Sequence, residues 1–289
     1  MKIIAASICP VCSTPLSHGL TSWHFRCHQC RYEKATLEPV INQESAYQEL
    51  DEGVRETGLK LLRIQNFKAL MDALRTLKPN GGSLLDVGCA HGWFLEAASE
   101  QFDVLGLEPD EAVYKATKSR GLNVRLGYFP LQLNDGETFD IIIFNDVFEH
   151  IPDSRATLEA CYARLNPGRI LLLNLPSSDG IFYKLAKLLH PLGIIGFFER
   201  LWQKGFPSPH LHYFNSRNIA SLLSRQNFHI LMEGDLPTIR LSGLYARISY
   251  SGRQSHLMNL LIYCCVGLAL PVIKLLPSDI TFVAAQRRN

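Results

Sequence analysis

From Ser83 onward, short apolar runs alternate with helix-length stretches, and this rhythm constrains the fold more than any other feature of the chain. Strands are expected at 83–87, 103–108, 122–126, 139–144, 169–175, 228–234 and 279–285. Helices are expected near 92–101, 110–119 and 153–165. Strands joined by connections of that length do not form hairpins. They pair in parallel through right-handed crossovers, with helices covering the faces of the sheet. The expected class is therefore α/β, a doubly wound, mostly parallel sheet of seven strands. A chain of 289 residues, 47% of them apolar, can build one such domain and a small appendage.

Three regions follow from the pattern. Residues 1–36 are cysteine-rich and built of turns. Residues 37–80 are a lead-in ending in a helix, with Leu59, Leu62, Ile64, Phe67, Leu70, Leu74 and Leu77 near helical spacing and Pro79-Asn80-Gly81-Gly82 as its stop. Residues 81–289 hold the α/β rhythm, interrupted by insertions at 176–214 and 236–278. Long insertions in such a domain usually cover or complete a site.

The run Leu84-Leu85-Asp86-Val87-Gly88-Cys89-Ala90-His91-Gly92-Trp93-Phe94-Leu95 reads as a buried strand, a tight turn and a helix start. Gly88 and Gly92 permit the turn and let a ligand approach the backbone closely. By itself the turn also suits a dinucleotide, though its G-x-x-x-G spacing departs from G-x-G-x-x-G. The next strand, in Val104-Leu105-Gly106-Leu107-Glu108-Pro109, ends in an acid 22 residues after Asp86, where a carboxylate can accept from two ribose hydroxyls. With Phe139-Asp140-Ile141-Ile142-Ile143-Phe144-Asn145-Asp146-Val147-Phe148-Glu149-His150-Ile151-Pro152-Asp153 and Leu165-Asn166-Pro167-Gly168-Arg169-Ile170 downstream, residues 83–175 resemble class I S-adenosylmethionine-dependent methyltransferases. The branch they are most similar to contains ubiquinone-biosynthesis and sugar methyltransferases.

The resemblance implies a Rossmann-like fold with S-adenosylmethionine as cofactor. It implies that Gly88 and Gly92 line the methionine end and that Glu108 holds the ribose, with Asp86 and Ala90 also among the cofactor-binding residues. It further implies that the loop at Gly127-Tyr128-Phe129 flanks adenine and that Asn145 faces the amino group or sulfonium. Ala90 stands where many relatives have glycine.

The first 30 residues carry a second signal. Cys9-Pro10-Val11-Cys12 and Cys27-His28-Gln29-Cys30 give C-x2-C-x14-C-x2-C, in which two knuckles wrap one tetrahedral Zn²⁺ and four thiolates close the site. A small zinc-ribbon-like segment with a structural metal is expected, because so short a stretch has little apolar core of its own. The start, Met1 to Ser7, has too short an apolar run for a signal peptide, so reduced cysteines and a cytoplasmic location are expected.

A hydroxyl acceptor for methyl transfer benefits from a base with a pKa near neutrality. Two histidine regions qualify. His150 follows the fourth strand, at the edge where α/β sites form, although it also suits a structural tie within its loop. His210 and His212 precede a helix that Ser216 can cap, and His210 stands in a stretch resembling the family's substrate-side wall. The acceptor is expected to be a small molecule, a sugar, quinone-like or lipid-linked compound.

Two apolar stretches, 181–198 and 257–273, suit either a core under a lid or a surface that meets membrane. A single span is disfavoured, because the closing strand at 279–285 must return to the sheet. Two other readings remain open. One is a ribosomal-RNA base methyltransferase with an N-terminal zinc knuckle, which a net charge of only +2 disfavours along with nucleic-acid binding generally. The other is a catalytically silent binding scaffold.

Overall fold

The computed structural model describes residues 8–42, 52–251 and 255–288, with side chains from Lys60 onward in the first long helix. Met1–Ser7 and the side chain of Leu59 lie outside the described residues. The N-terminal segment forms three short strands, β1 (Ser17–His18), β2 (His24–Arg26) and β3 (Glu33–Ala35), followed by the long helix α1 (Glu52–Leu77). The main domain then runs β4 (Gly82–Val87), α2 (Trp93–Ala98), β5 (Phe102–Glu108), α3 (Glu111–Ser119), β6 (Val124–Leu126), β7 (Phe139–Asn145), α4 (Ser154–Arg164) and β8 (Leu165–Pro176). The first insertion supplies α5 (Ile181–Leu189), α6 (Ile195–Leu201) and β9 (His212–Tyr213). Last come α7 (Ser216–Arg225), β10 (Phe228–Leu236), α8 (Leu244–Ser251), α9 (His256–Ile273) and β11 (Ile280–Arg287).

The large sheet has seven strands in the order β10-β11-β8-β7-β4-β5-β6. Strand β4 pairs in parallel with both β5 and β7, and β7 pairs in parallel with β8. Only β11 is reversed, antiparallel to both of its neighbours. Side-chain alternation splits the sheet's residues between two cores. Leu84, Ile141, Ile143 and Leu172 face Phe67, Leu70, Met71 and Leu74 of α1 with Phe94 of α2. Leu85, Ile142, Leu171 and Leu173 face Leu158 and Cys161 of α4 and Ile219, Leu222 and Leu223 of α7. At about 1.5–3 kcal/mol for each large apolar side chain buried, these two layers supply the main drive for folding.

Helix starts follow the local chemistry. The Asp110 carboxylate accepts from the first amides of α3, and Asp153 does the same for α4. At α7 the cap is Asn215 rather than the expected Ser216. Asn215 and Asn218 exchange side-chain and backbone bonds at 2.9 Å each, and Ser216 is the first helical residue.

The cysteine-bearing segment is built into the molecule. Its β3 pairs with β9 of the first insertion, making a separate four-stranded sheet, β1-β2-β3-β9. Cys9, Val11, Phe25 and Tyr32 share one core with Phe214 and Leu222. Opposite them, Trp23 packs with Tyr183, Phe198, Trp202 and Tyr213 from the insertion. Glu33, buried at this seam, accepts from His24 Nε2 (2.7 Å), Tyr183 Oη (2.8 Å) and Lys187 Nζ (2.6 Å). Arg155 of α4 closes the other side through Pro10 O at 2.6 Å.

Candidate functional site

The carboxyl ends of β4, β5 and β7 meet at one edge of the large sheet, and a glycine turn leaves β4 there. Gly88 (φ 70°), Ala90 (φ 45°) and Gly92 (φ 72°) all take the left-handed conformation, which only glycine adopts at no steric cost. A Cβ on Gly88 would stand 2.7 Å from Val147 Cγ2, so glycine is also demanded by the contact between this turn and the loop after β7. The turn is laced to β5. Gly88 N and Cys89 N both donate to Leu107 O, and Ala90 N donates to Glu108 Oε2 at 2.8 Å. Glu108 Oε1 accepts from Asp110 N at 2.8 Å. Each carboxylate oxygen keeps a second lone pair, so the acid can brace the turn and still accept from ligand hydroxyls.

Burial pushes Glu108 up to about 7 and Asp86 up to about 8. Asp86 is only 1% exposed and has Asn145 Nδ2 at 3.4 Å. Asn145 Oδ1 is buried and has no hydrogen-bond partner, a costly arrangement in a folded protein. The residues at this edge thus fit the methionine end of S-adenosylmethionine, whose ammonium is a donor for Asn145 and a counter-charge for Asp86. Gly127 N donates to Glu108 O, which places the next loop beside the acid. There Phe129 sits edge-on to Phe144 while Tyr128 stays exposed.

The predicted histidines come together on the same edge. The rings of His150 and His210 lie 4.8 Å apart, and the Nε2 atom of each is 3.9 Å from Glu149 Oε1. His150 Nδ1 is 2.8 Å from Pro209 O, and a carbonyl can only accept, so Nδ1 carries a proton and the neutral ring has its lone pair on Nε2. His212 has a different role. It is buried between Tyr32 Oη and Ile151 O, and burial holds it near 4, so it stays neutral and ties the N-terminal segment to the loop after β7.

Several site residues escaped the sequence reading. Asp146 (φ 54°) faces Arg63 of α1, with Nε–Oδ2 at 3.9 Å. Asn174 in β8 lies 3.5 Å from Asp146, and a polar residue in the middle of an apolar strand was the signal for it. Glu149 stood inside the motif but was passed over for its neighbour. Arg63 gave no signal, because only the packing of α1 brings it to this edge.

The four cysteine sulfurs converge as their spacing required. Cys9 and Cys30 Sγ are 3.4 Å apart, Cys12 and Cys27 3.3 Å, and all four lie within 4.8 Å of one another. Four thiolates around one Zn²⁺ at about 2.3 Å give sulfur separations of about 3.8 Å, close to this geometry. Without a metal the cluster shares its protons, the hydrogen bond between Cys9 and Cys30 lowering the first thiol and raising the second.

A family model described as "Methyltransferase domain" matches residues 62–233, more than half of the chain. The chain belongs to that family. It is 29% identical over 118 residues to the ubiquinone biosynthesis O-methyltransferase of Xanthomonas axonopodis pv. citri, covering 38% of this chain and 49% of that protein. The match to the Bordetella avium protein of the same name is 30% over 115 residues, 37% of this chain and 46% of the relative. The chain thus spans about half the length of the curated relatives it matches.

Solved structures share the fold at low identity. An S-adenosylmethionine-dependent methyltransferase from Thermotoga maritima superposes with a TM-score of 0.54 at 12% identity, over 83% of this chain and 97% of that one. Magnesium protoporphyrin IX methyltransferase from Synechocystis PCC 6803, with bound S-adenosylhomocysteine, gives 0.53 at 14% identity, over 84% and 91%. The expected Rossmann-like α/β sheet of a class I S-adenosylmethionine-dependent methyltransferase is therefore present.

Proposed function

We propose that this methyltransferase transfers the methyl group of S-adenosylmethionine to a hydroxyl oxygen of a small-molecule acceptor. The observation that carries the reading is one edge of the sheet where the glycine turn, the unsatisfied Asn145 Oδ1 and the His150–His210 pair stand together. Glu108 holds the ribose hydroxyls, Asp86 and Asn145 hold the methionine end, Gly88, Ala90 and Gly92 give the backbone room, and the loop carrying Phe129 flanks adenine. When bound, the cofactor supplies an electrophilic methyl on a positively charged sulfur. His150 takes the acceptor's hydroxyl proton at Nε2 as the carbon–oxygen bond forms and the carbon–sulfur pair returns to sulfur. His210, beside it, is the second candidate base. Such a displacement depends mainly on placing the reactants in line, which the rigid edge of the sheet supports.

Cys9, Cys12, Cys27 and Cys30 hold a structural Zn²⁺ in this reading. The segment 1–36 then braces the insertion that carries His210, the helix of 37–80 brings Arg63 to the site, and 81–289 is the catalytic domain. A quinone-like, sugar or lipid-linked acceptor suits the chain. The lipid-linked case, with peripheral membrane contact by a cytoplasmic enzyme, draws support from α9. That helix is apolar along its length yet mostly exposed, and Leu188 and Leu192 add exposed apolar surface near α5.

Calorimetry with S-adenosylhomocysteine, then methyl transfer to a panel of catechols, sugars and lipid-linked sugars, tests the proposal. Micromolar cofactor-product binding and one accepted class are expected, with turnover lowered at least about 100-fold by His150→Ala. Failure to bind S-adenosylhomocysteine with the cysteine site zinc-loaded would sink it in favour of the silent scaffold. Methylation of RNA alone, with steeply salt-dependent binding, would replace the acceptor class.

A further inference from the structure

We infer that the seam between the cysteine-bearing segment and the first insertion is a binding groove for a diphosphate group carried by the methyl acceptor. The inference rests on the methyl-transfer reading for its role, though not for the groove itself. Two adjoining cavities open along this seam, of about 490 and 670 Å³, and Arg31, Lys184 and Asn215 border both. They form one groove just past the carboxyl end of β8, where Ser178 lines it. That end lies one strand over from the end of β7, where Asn145 stands.

The groove is charged in one sense. Arg26 and Arg31 enter from the cysteine-bearing segment, Lys184 and Lys187 from α5, and Arg217 from the first turn of α7. Against these five cations stand two carboxylates, both engaged: Asp179 with Lys184 at 3.4 Å and Glu33 with Lys187 at 2.6 Å. An excess of three positive charges thus gathers in one groove of a chain whose net charge is +2. The guanidinium groups of Arg26, Arg31 and Arg217 make no hydrogen bond or ion pair among the described residues. Like charges held together repel, and a groove lined by one sign concentrates its counter-ion.

Three free guanidinium groups favour phosphate over a simple carboxylate, because each planar fork can hold two phosphate oxygens at once. A diphosphate offers oxygens on two phosphorus atoms and so can meet both walls, with the hydroxyls of Ser178 and Ser216 beside it. Cys27 and Cys30 also border the groove, and four thiolates around Zn²⁺ leave two negative charges there. Arg26 and Arg31 offset these, while Lys184 and Arg217 on the facing wall keep the groove positive. One stretch of chain joins it to the methyl site. His210 precedes Asn215 by five residues, and Ser178 N ties that stretch to the end of β8 by donating to Phe214 O at 2.7 Å. Five extended residues span at most about 17 Å, so one molecule can set a hydroxyl beside His210 and a diphosphate in the groove. A sugar diphosphate has that arrangement, and a neutral quinone-like acceptor does not.

Titration calorimetry of the zinc-loaded full chain with inorganic diphosphate, with and without saturating S-adenosylhomocysteine, tests the groove. Micromolar binding is expected, the same in both cases and weaker as salt is raised. Arg31→Gln and Arg217→Gln, one from each wall, should each weaken it at least about tenfold. Arg225→Gln, at the far end of α7, should not. An unchanged unfolding temperature shows that these variants are folded. Displacement of the bound diphosphate by a soluble nucleoside-diphosphate sugar supports a soluble acceptor, and displacement only by a vesicle-borne prenyl diphosphate supports a lipid-linked one.

No diphosphate binding, with S-adenosylhomocysteine binding intact, overturns the groove and leaves the methyl-transfer reading standing; Arg26 and Arg31 then serve the cysteine cluster alone. Displacement by phosphatidylglycerol vesicles, which carry no diphosphate, also overturns it and makes the seam a headgroup contact. Competition between diphosphate and S-adenosylhomocysteine overturns it too, since the anion then sits in the cofactor site. Diphosphate binding that Arg31→Gln abolishes, with no S-adenosylhomocysteine binding, keeps the groove and overturns the methyl-transfer reading.

Discussion

At the scale of single residues, the methyl-donor side depends on backbone room and on two carboxyls held in unusual surroundings. Replacing Gly88 by Ala sets a methyl 2.7 Å from Val147 Cγ2 at a φ of 70°. S-adenosylhomocysteine binding should weaken by about tenfold or more, as expected for 1–3 kcal/mol of overpacking. The double change with Val147→Ala should recover part of the loss, as titration calorimetry would show; equal loss in the single and double variants argues against the contact.

Asp86 and Glu108 make the protein pH-sensitive in a predictable direction. Both hold their protons more tightly folded than their ordinary values of 3.8 and 4.5, at about 8 and about 7. Between about pH 4.5 and 8 the folded state therefore binds more protons than the unfolded one, and stability falls as pH rises through that window. The unfolding temperature of the ligand-free protein should drop from pH 5 to 8, with a shallower drop in Glu108→Gln. A flat profile in the native protein excludes the buried-acid account.

Between elements, the seam of β2, β3 and α5 is held by a buried polar cluster around Glu33. Burial raises the proton affinity of Glu33, but hydrogen bonding by His24 and the charge of Lys187 more than offset it, leaving the carboxyl below its ordinary 4.5. This contribution to stability is present above pH 4.5 and lost as pH falls through the lower folded value. Glu33→Gln should cost about 2–4 kcal/mol in chemical unfolding, because it strips the counter-charge from Lys187 and an acceptor from buried His24 and Tyr183. A change under 0.5 kcal/mol would mean that the seam is held by its aromatic rings alone.

The cysteine cluster acts on the same seam from the other side. Cys30 O accepts from Asn218 of α7, and Cys9 and Tyr32 pack into the main core. Chelation should lower the unfolding temperature of the whole protein, in a single transition by calorimetry. A separate early transition would show the segment melting alone.

For the molecule as a whole, the helix α9 leaves large apolar side chains in water, with Leu257 78% and Leu268 83% exposed. The helix cannot be a one-way span, since β11 follows it directly into the sheet between β8 and β10. A helix lying in the membrane interface is consistent with that topology. The full chain should co-sediment with anionic liposomes, and Leu257→Ser with Leu261→Ser and Leu268→Ser should abolish it without lowering S-adenosylhomocysteine affinity. Absence of sedimentation by the native chain points to a soluble acceptor.

The seven strands of a mostly parallel sheet, the glycine turn, Glu108 at a strand end and the convergence of four cysteines were legible in the sequence, whereas the order of the strands across the sheet and the reversal of β11 were not. Each depends on residue type at short spacing: alternation of apolar residues, glycine where φ is positive, paired thiols two residues apart. Tertiary structure alone decided the rest. It laid β3 against β9, nearly 180 residues away in the chain, and carried Arg63 to Asp146. It also set His210 over Glu149 and left that carboxylate without a hydrogen-bond partner. Such juxtapositions arise from packing two cores onto one sheet, and no local pattern encodes which distant side chain will face a buried acid.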